Sequence, residues 1–149
     1  MRRPPILVLL LTLAAGACAA PEPEPSAPAE APEGPVEHGA YLVSLLACGR
    51  CHTQGYLTGD VATGPELAGS LVGIAWTGAS GEETPGLVFA PNLTPDPETG
   101  LGRWSEAQIV AALRAGVGPD GHRRLTLMPW PSYGANLYDE DLEAIAKYL

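Results

Sequence analysis

Cys48-Gly49-Arg50-Cys51-His52 is the stretch on which the reading of this chain turns. It places two thiols one helical turn apart, with an imidazole directly after the second. Thiols at that spacing can each add to a vinyl group on one edge of a porphyrin. The next residue then lies under the ring, where its imidazole nitrogen can bind the iron. Gly49 and Arg50 put no large apolar side chain in the way of the ring. C-x-x-C-H is the attachment spacing of a c-type haem, which makes Cys48 and Cys51 candidates for the covalent bonds and His52 a candidate axial ligand. A disulfide, a thioredoxin-like pair and half a zinc site are the competing readings. A zinc site wants four ligands. With Cys18 assigned below, only His38 and His122 are left to complete one, and neither has a metal-site spacing. A thioredoxin-like pair wants a βαβ context, and the periodicity shows none.

The segments on either side take their meaning from this motif. Val36 to Ala47 carries Tyr41, Leu42, Leu45 and Leu46 at helical spacing, which predicts an amphipathic helix running into it. Thr53 to Arg103 is rich in Gly and Pro and weakly periodic. About fifty such residues are too many for a compact domain unless they wrap around something, and a haem is such an object. Ser105 to Ala115 reads as a helix. Ser105 and Gln108 form a capping box, Trp104 and Ile109 a hydrophobic staple, Ile109, Ala112 and Leu113 a buried stripe, and Gly116 the stop. Asp139 to Leu149 predicts a last helix, with Asp139 as its cap and Leu142, Ile145, Ala146 and Leu149 on its inner face.

The first seventeen residues read as a signal peptide, with Arg2 and Arg3 before an apolar run from Ile6 to Ala15 that is too short to span a bilayer. Leu13-Ala14-Ala15-Gly16-Ala17-Cys18 resembles a bacterial lipobox, although Ala15 stands where Leu is preferred. Acylation of Cys18 and ordinary cleavage nearby are the two outcomes it allows. Residues 18–35 follow, with six prolines and four glutamates among Ala19 to Pro35 and no bulky apolar side chain. Such a segment cannot bury a face and reads as a flexible or polyproline II tether, about 50 Å long if extended at ~3.1 Å per residue. The folded domain is expected over residues 36–149. Only 6% of the chain is aromatic and Gly and Pro total 34 of 149 residues, so a covalent haem would supply apolar core that the chain lacks.

Further motifs carry a resemblance to class I cytochromes c that covers residues 36–149. Thr63-Gly64-Pro65-Glu66-Leu67-Ala68-Gly69 resembles the T-G-P-x-L-x-G that follows C-x-x-C-H-T in that family. Phe89-Ala90-Pro91-Asn92-Leu93-Thr94-Pro95-Asp96, with Thr99 to Trp104, is similar to a loop in the cytochrome c subunits of bacterial membrane-bound sugar and alcohol dehydrogenases. The resemblance implies an all-α cytochrome c fold of four to five short helices wrapped around one haem, with long irregular loops. It also implies that the Pro65 carbonyl accepts the Nδ1–H of His52, and that Asn92 and Trp104 reach the haem propionates. A structural Trp104 is the alternative. Met128, 76 residues past His52 and just before Pro129, stands where the family keeps its second axial ligand. His122 is its rival. The last helix is implied to cross the first near Gly39 and Tyr41.

His/Met ligation leaves no vacant iron position and suits a one-electron carrier rather than an enzyme. The alternatives are a single-haem subunit accepting electrons within a membrane-bound dehydrogenase, and a five-coordinate haem peroxidase or gas sensor. One C-x-x-C-H occurs, which predicts one covalent haem c. From Cys18 onward, 17 acids stand against 6 bases, a formal charge of −11 that excludes a nucleic-acid binder. The expected partners are redox proteins with basic or apolar docking faces, a dehydrogenase as donor and an oxidase or another cytochrome as acceptor. The expected place is the periplasmic side of a membrane, reached through a lipid on Cys18.

Overall fold

The computed structural model describes residues 30–77 and 86–149. The signal peptide, Cys18 and most of the tether therefore lie outside the described residues. The first helix, α1, spans Pro35–Leu45. Pro35 suits its first turn, because a ring-fixed φ fits there and that position has no intrahelical partner for an N–H. The helix does not run into the haem motif as the spacing suggested. Ala47 adopts the left-handed conformation, φ 55° and ψ 39°, and a separate short helix α2 spans Cys48–His52. A non-glycine residue rarely holds that geometry, and it persists only where surrounding structure imposes it.

The inner face of α1 also differs from the expected one. Gly39, Leu42 and Val43 are buried, whereas Tyr41 and Leu45 are exposed. The crossing with the last helix, α5 (Asp139–Tyr148), sets that face. A Cβ at Gly39 would sit 2.0 Å from the Ala144 carbonyl oxygen, so glycine is what lets the two backbones meet. His38 Nε2 and Asp141 Oδ1 tie the same pair of helices at 2.8 Å.

Helix α3 spans Glu106–Ala115. Its N-terminus is capped as expected: Ser105 Oγ accepts from Gln108 N–H at 3.3 Å, and Gln108 Oε1 accepts from Ser105 N–H at 2.9 Å. Gly116 ends it at φ 71° with the Trp130 ring against its Cα, leaving no room for a side chain. A short helix α4 (Trp130–Asn136) packs on α3. Asp139 does not cap α5. Tyr138 holds the cap position, and its N–H donates to the Asp141 carboxylate at 3.1 Å. Asp139 is drawn instead to Arg114 at the end of α3, across an ion pair.

The fold is helix-rich but not purely helical. Strands β1 (Ile74–Trp76) and β2 (Gly86–Val88) pair antiparallel, with Ile74 opposite Val88 and Trp76 opposite Gly86. Three-residue strands are too short to show a period of two, so the wrapping loop hid them. The core gathers Leu42 and Val43 from α1, Leu67 from the loop, Ile109 and Leu113 from α3, and Leu142, Ile145 and Ala146 from α5. Leu142 and Ile145 have no exposed surface, and burial of each contributes about 1.5–3 kcal/mol. Among the described residues no helix is long and apolar enough to cross a membrane.

Candidate haem site

Helix α2 presents both thiols and the imidazole within one short element. Cys48 is half-buried and packs against the core cluster, Cys51 is exposed, and the two are not bridged. Burial pushes the Cys48 thiol upward in pKa, its backbone hydrogen bond opposes this, and the neighbouring Cys51 adds to the rise. His52 is 8% exposed. Its Nδ1 lies 2.8 Å from the Pro91 carbonyl oxygen. A carbonyl can only accept, so Nδ1 carries the proton and Nε2 keeps its lone pair. Burial lowers the His52 pKa and the bond to Pro91 partly offsets it, so the neutral, metal-binding form of the ring is favoured.

The carbonyl that orients His52 is therefore that of Pro91, not Pro65. The Pro65 carbonyl instead accepts Ala68 N–H at 3.3 Å, in a turn of its own. The reason lies in how the two loop segments meet. Leu67 N–H donates to the fully buried Thr53 Oγ1 at 3.0 Å, and Gly69 N–H to the His52 carbonyl at 2.8 Å. Leu67 is held at φ 60° by these contacts. The next layer is laced on by Leu93 N–H to Leu67 O, 2.8 Å, and Ser70 N–H to Ala90 O, 3.0 Å. Gly69 lets that layer pass, since a Cβ there would meet Ala90 O and Asn92 N at 3.0 Å. The strap from Ala90 to Leu93 thereby brings Pro91 to the imidazole.

Met128 sits in the turn before α4, half-buried against the same core cluster as Cys48, Leu93 and Tyr133. Its N–H donates to Leu125 O at 3.2 Å, and its carbonyl accepts Trp130 N–H at 2.8 Å. His122 is exposed in the preceding loop, where its N–H donates to Asp120 Oδ1 at 3.0 Å. Asn92 braces its own loop: Oδ1 accepts Thr94 N–H and Oγ1–H at 2.8 and 2.7 Å, and Nδ2 donates to Thr99 Oγ1 at 2.9 Å. Trp104 is half-buried against the core, with the Arg124 guanidinium 5.9 Å above its ring. Among the described residues no three His, Cys, Asp or Glu side chains converge to hold a metal ion.

No protein-family model matches the chain. It is 31% identical over 120 residues to the alcohol dehydrogenase (quinone) cytochrome c subunit of Gluconacetobacter polyoxogenes, covering 80% of this chain and 22% of that one. With the gluconate 2-dehydrogenase cytochrome c subunit of Pantoea cypripedii the identity is 33% over 120 residues, 80% and 23%. With the fructose dehydrogenase cytochrome subunit of Gluconobacter japonicus it is 30% over 122 residues, 82% and 22%. The chain is a relative of dehydrogenase cytochrome c subunits. It spans less than a quarter of the length of each of these three relatives.

For such a relative, the residues present fit a c-type haem. The paired thiols are unbridged, and the imidazole is neutral with its proton fixed on the nitrogen away from the free lone pair. Two contributors escaped the sequence reading. Pro91 lay inside the Phe89 to Asp96 stretch, whose resemblance to a cytochrome c subunit loop gave Asn92 a role but none to Pro91. Tyr133 of α4 packs on the same core cluster as Cys48 and Met128; burial first, and then the charges of the free Cys48 and Cys51 thiolates, push its phenol up to about 12. Its only sequence signal was the Met-Pro upstream, which marks a turn rather than a helix.

Proposed function

We propose that the chain carries single electrons through one c-type haem, bound covalently at Cys48 and Cys51, with His52 and Met128 as axial ligands. The observation that carries the reading is the buried His52 ring, committed through Nδ1–H to Pro91 and left with Nε2 for a metal. When bound, the haem supplies reversible one-electron exchange at its iron. The two thiols fix the group to α2, and the Pro91 carbonyl holds the imidazole in one tautomer and orientation. The Met128 thioether is a soft, weak donor that favours the reduced metal and raises the potential. With His52 it would hold the iron from both sides and leave no position for small ligands. The polypeptide itself performs no substrate chemistry.

The kinship to dehydrogenase cytochrome c subunits supports a second form of this reading, a single-haem subunit that takes electrons from a dehydrogenase and passes them to an oxidase or another cytochrome. The export-like leader, Cys18 and the Pro/Glu tail support a tethered position on the periplasmic side of a membrane. The test is an intact-mass and pyridine-haemochrome measurement on membrane and soluble fractions from an export-competent host. One haem per chain, low-spin spectra in both oxidation states and a lipid adduct in the membrane fraction are expected. A colourless mature protein, or rapid carbon monoxide binding by the reduced native form, would overturn the carrier reading; the latter would favour a peroxidase or sensor.

A further inference from the structure

The charges of the folded part are unevenly spread. The 50 residues from Thr53 to Gly102 hold six acids and no Lys, Arg or His. All six bases after Val36 lie outside this run: Arg50, Arg103, Arg114, Arg123, Arg124 and Lys147. The same run exposes large apolar side chains, among them Leu71 at 87%, Leu87 at 65% and Phe89 at 51%. Leu87 and Phe89 converge over Gly73, where a Cβ would meet Phe89 Cε1 at 3.1 Å and Leu87 Cδ2 at 3.5 Å.

Leu71 and Phe89 line an open cleft of about 650 Å³, together with Gln54, Gly64, Pro91 and Thr99. Among the described residues, none that lines it is ionisable. Gln54 Oε1 accepts Leu71 N–H at 2.7 Å, so the backbone beneath this exposed leucine is pinned. With the backbone already fixed, covering Leu71 orders only its side chain. Acids flank the cleft. Asp96 Oδ1 accepts from the lining residue Thr99, N–H and Oγ1–H at 2.7 and 3.0 Å, and the exposed Glu98 precedes Thr99 in the same turn. Those bonds hold the exposed Asp96 carboxyl below the usual range and keep it charged. Pro91 lines this cleft and is also the residue whose carbonyl orients His52.

We propose that this acid-flanked apolar cleft docks a redox protein whose contact face is an apolar centre ringed by lysines and arginines. The inference rests on the electron-carrier reading and adds where the partner sits. The acids of the Asp96 turn steer a basic face towards the cleft, and the uncharged floor lets the complex form without burying an unpaired charge. Pro91 then joins the contact surface to the iron ligand by one hydrogen bond. The exposed face of α1, with Tyr41 and Leu45, is a helix surface rather than a cleft.

The test uses the haem-loaded full chain and a lysine-rich blue-copper protein as the probe, whose colour is separable from that of haem. Amide shifts on adding its redox-inert zinc form are expected to cluster in residues 54–72 and 86–99. The rate of electron transfer to the copper form should fall with salt, and about tenfold in Leu71→Lys, while Leu45→Lys on α1 leaves it unchanged. Shifts centred elsewhere, or an unaltered rate in Leu71→Lys, would overturn the proposal. So would a dimer dissolved by Leu71→Lys, which would make a second copy the occupant, or cleft shifts on deleting residues 19–30, which would make it the tail. Exchange with hexaammineruthenium separates the two readings: failure there removes the carrier function, whereas exchange there with no cleft effect removes only the docking site.

Discussion

Thr53 and His52 show how much a single hydrogen bond can arrange. The Thr53 hydroxyl is the partner of the Leu67 N–H in a fully buried place, and that bond holds the left-handed turn under α2. Thr53→Val keeps the shape and removes the acceptor, so a loss of about 1–3 kcal/mol is expected in denaturant unfolding. Met128→Ala is expected to abolish the thioether-to-iron charge-transfer band of the oxidised protein; an unchanged spectrum would take Met128 off the iron. Tyr133 gives the pH dependence. In the chain with free thiols its folded pKa of about 12 lies above the ordinary phenol value of 10, raised first by burial and then by the Cys48 and Cys51 charges, which thioether bonds to a haem would remove. Between those values the unfolded chain has released the proton and the folded one has not. Stability should therefore be intact below pH 10 and fall as pH rises towards 12. Phenolate absorbance at alkaline pH, followed alongside unfolding, checks this; Tyr133→Phe should flatten that part of the profile.

The α1–α5 crossing is the contact on which the elements depend. Gly39→Ala would place a methyl 2.0 Å from the Ala144 carbonyl and 2.8 Å from the Tyr148 Cβ. Backbone stands on one side, so the helices must part, at about 1–3 kcal/mol by the usual cost of overpacking. Thermal unfolding of the variant measures it. Legibility in the sequence follows the range of the forces. Helix α3 could be read because Ser105, Gln108 and Gly116 act on their own neighbours. The buried face of α1 could not, because Tyr41 and Leu45 are as apolar as Leu42 and Val43, and only the partner helix decides which pair is covered. The break at Ala47 left no mark either, since alanine favours the helix it interrupts.

Over the whole molecule the question is how so few bulky side chains make a core. Among the described residues, eight buried ones form the central cluster, and of these the segment from Thr53 to Arg103 contributes Leu67 alone. A covalent haem would add the missing apolar surface. Cys48→Ala with Cys51→Ala is therefore expected to yield a colourless chain that keeps part of its far-UV dichroism but loses its near-UV signal, the mark of lost tertiary packing. Retention of a sharp near-UV spectrum would show that the polypeptide packs without the group.

The sequence by itself determined the chemistry: two thiols and an imidazole at a spacing that follows from helix geometry, a lone late methionine, and local caps that start and stop α3. Tertiary structure alone decided which carbonyl reaches His52, which face of α1 is buried, and that Leu71 and Phe89 share an uncharged cleft with Pro91. Covalent spacing and capping act between near neighbours and are written in residue order. The Pro91 contact spans 39 positions, and its partners meet only after the loop has been laced through Thr53, Leu67 and Gly69.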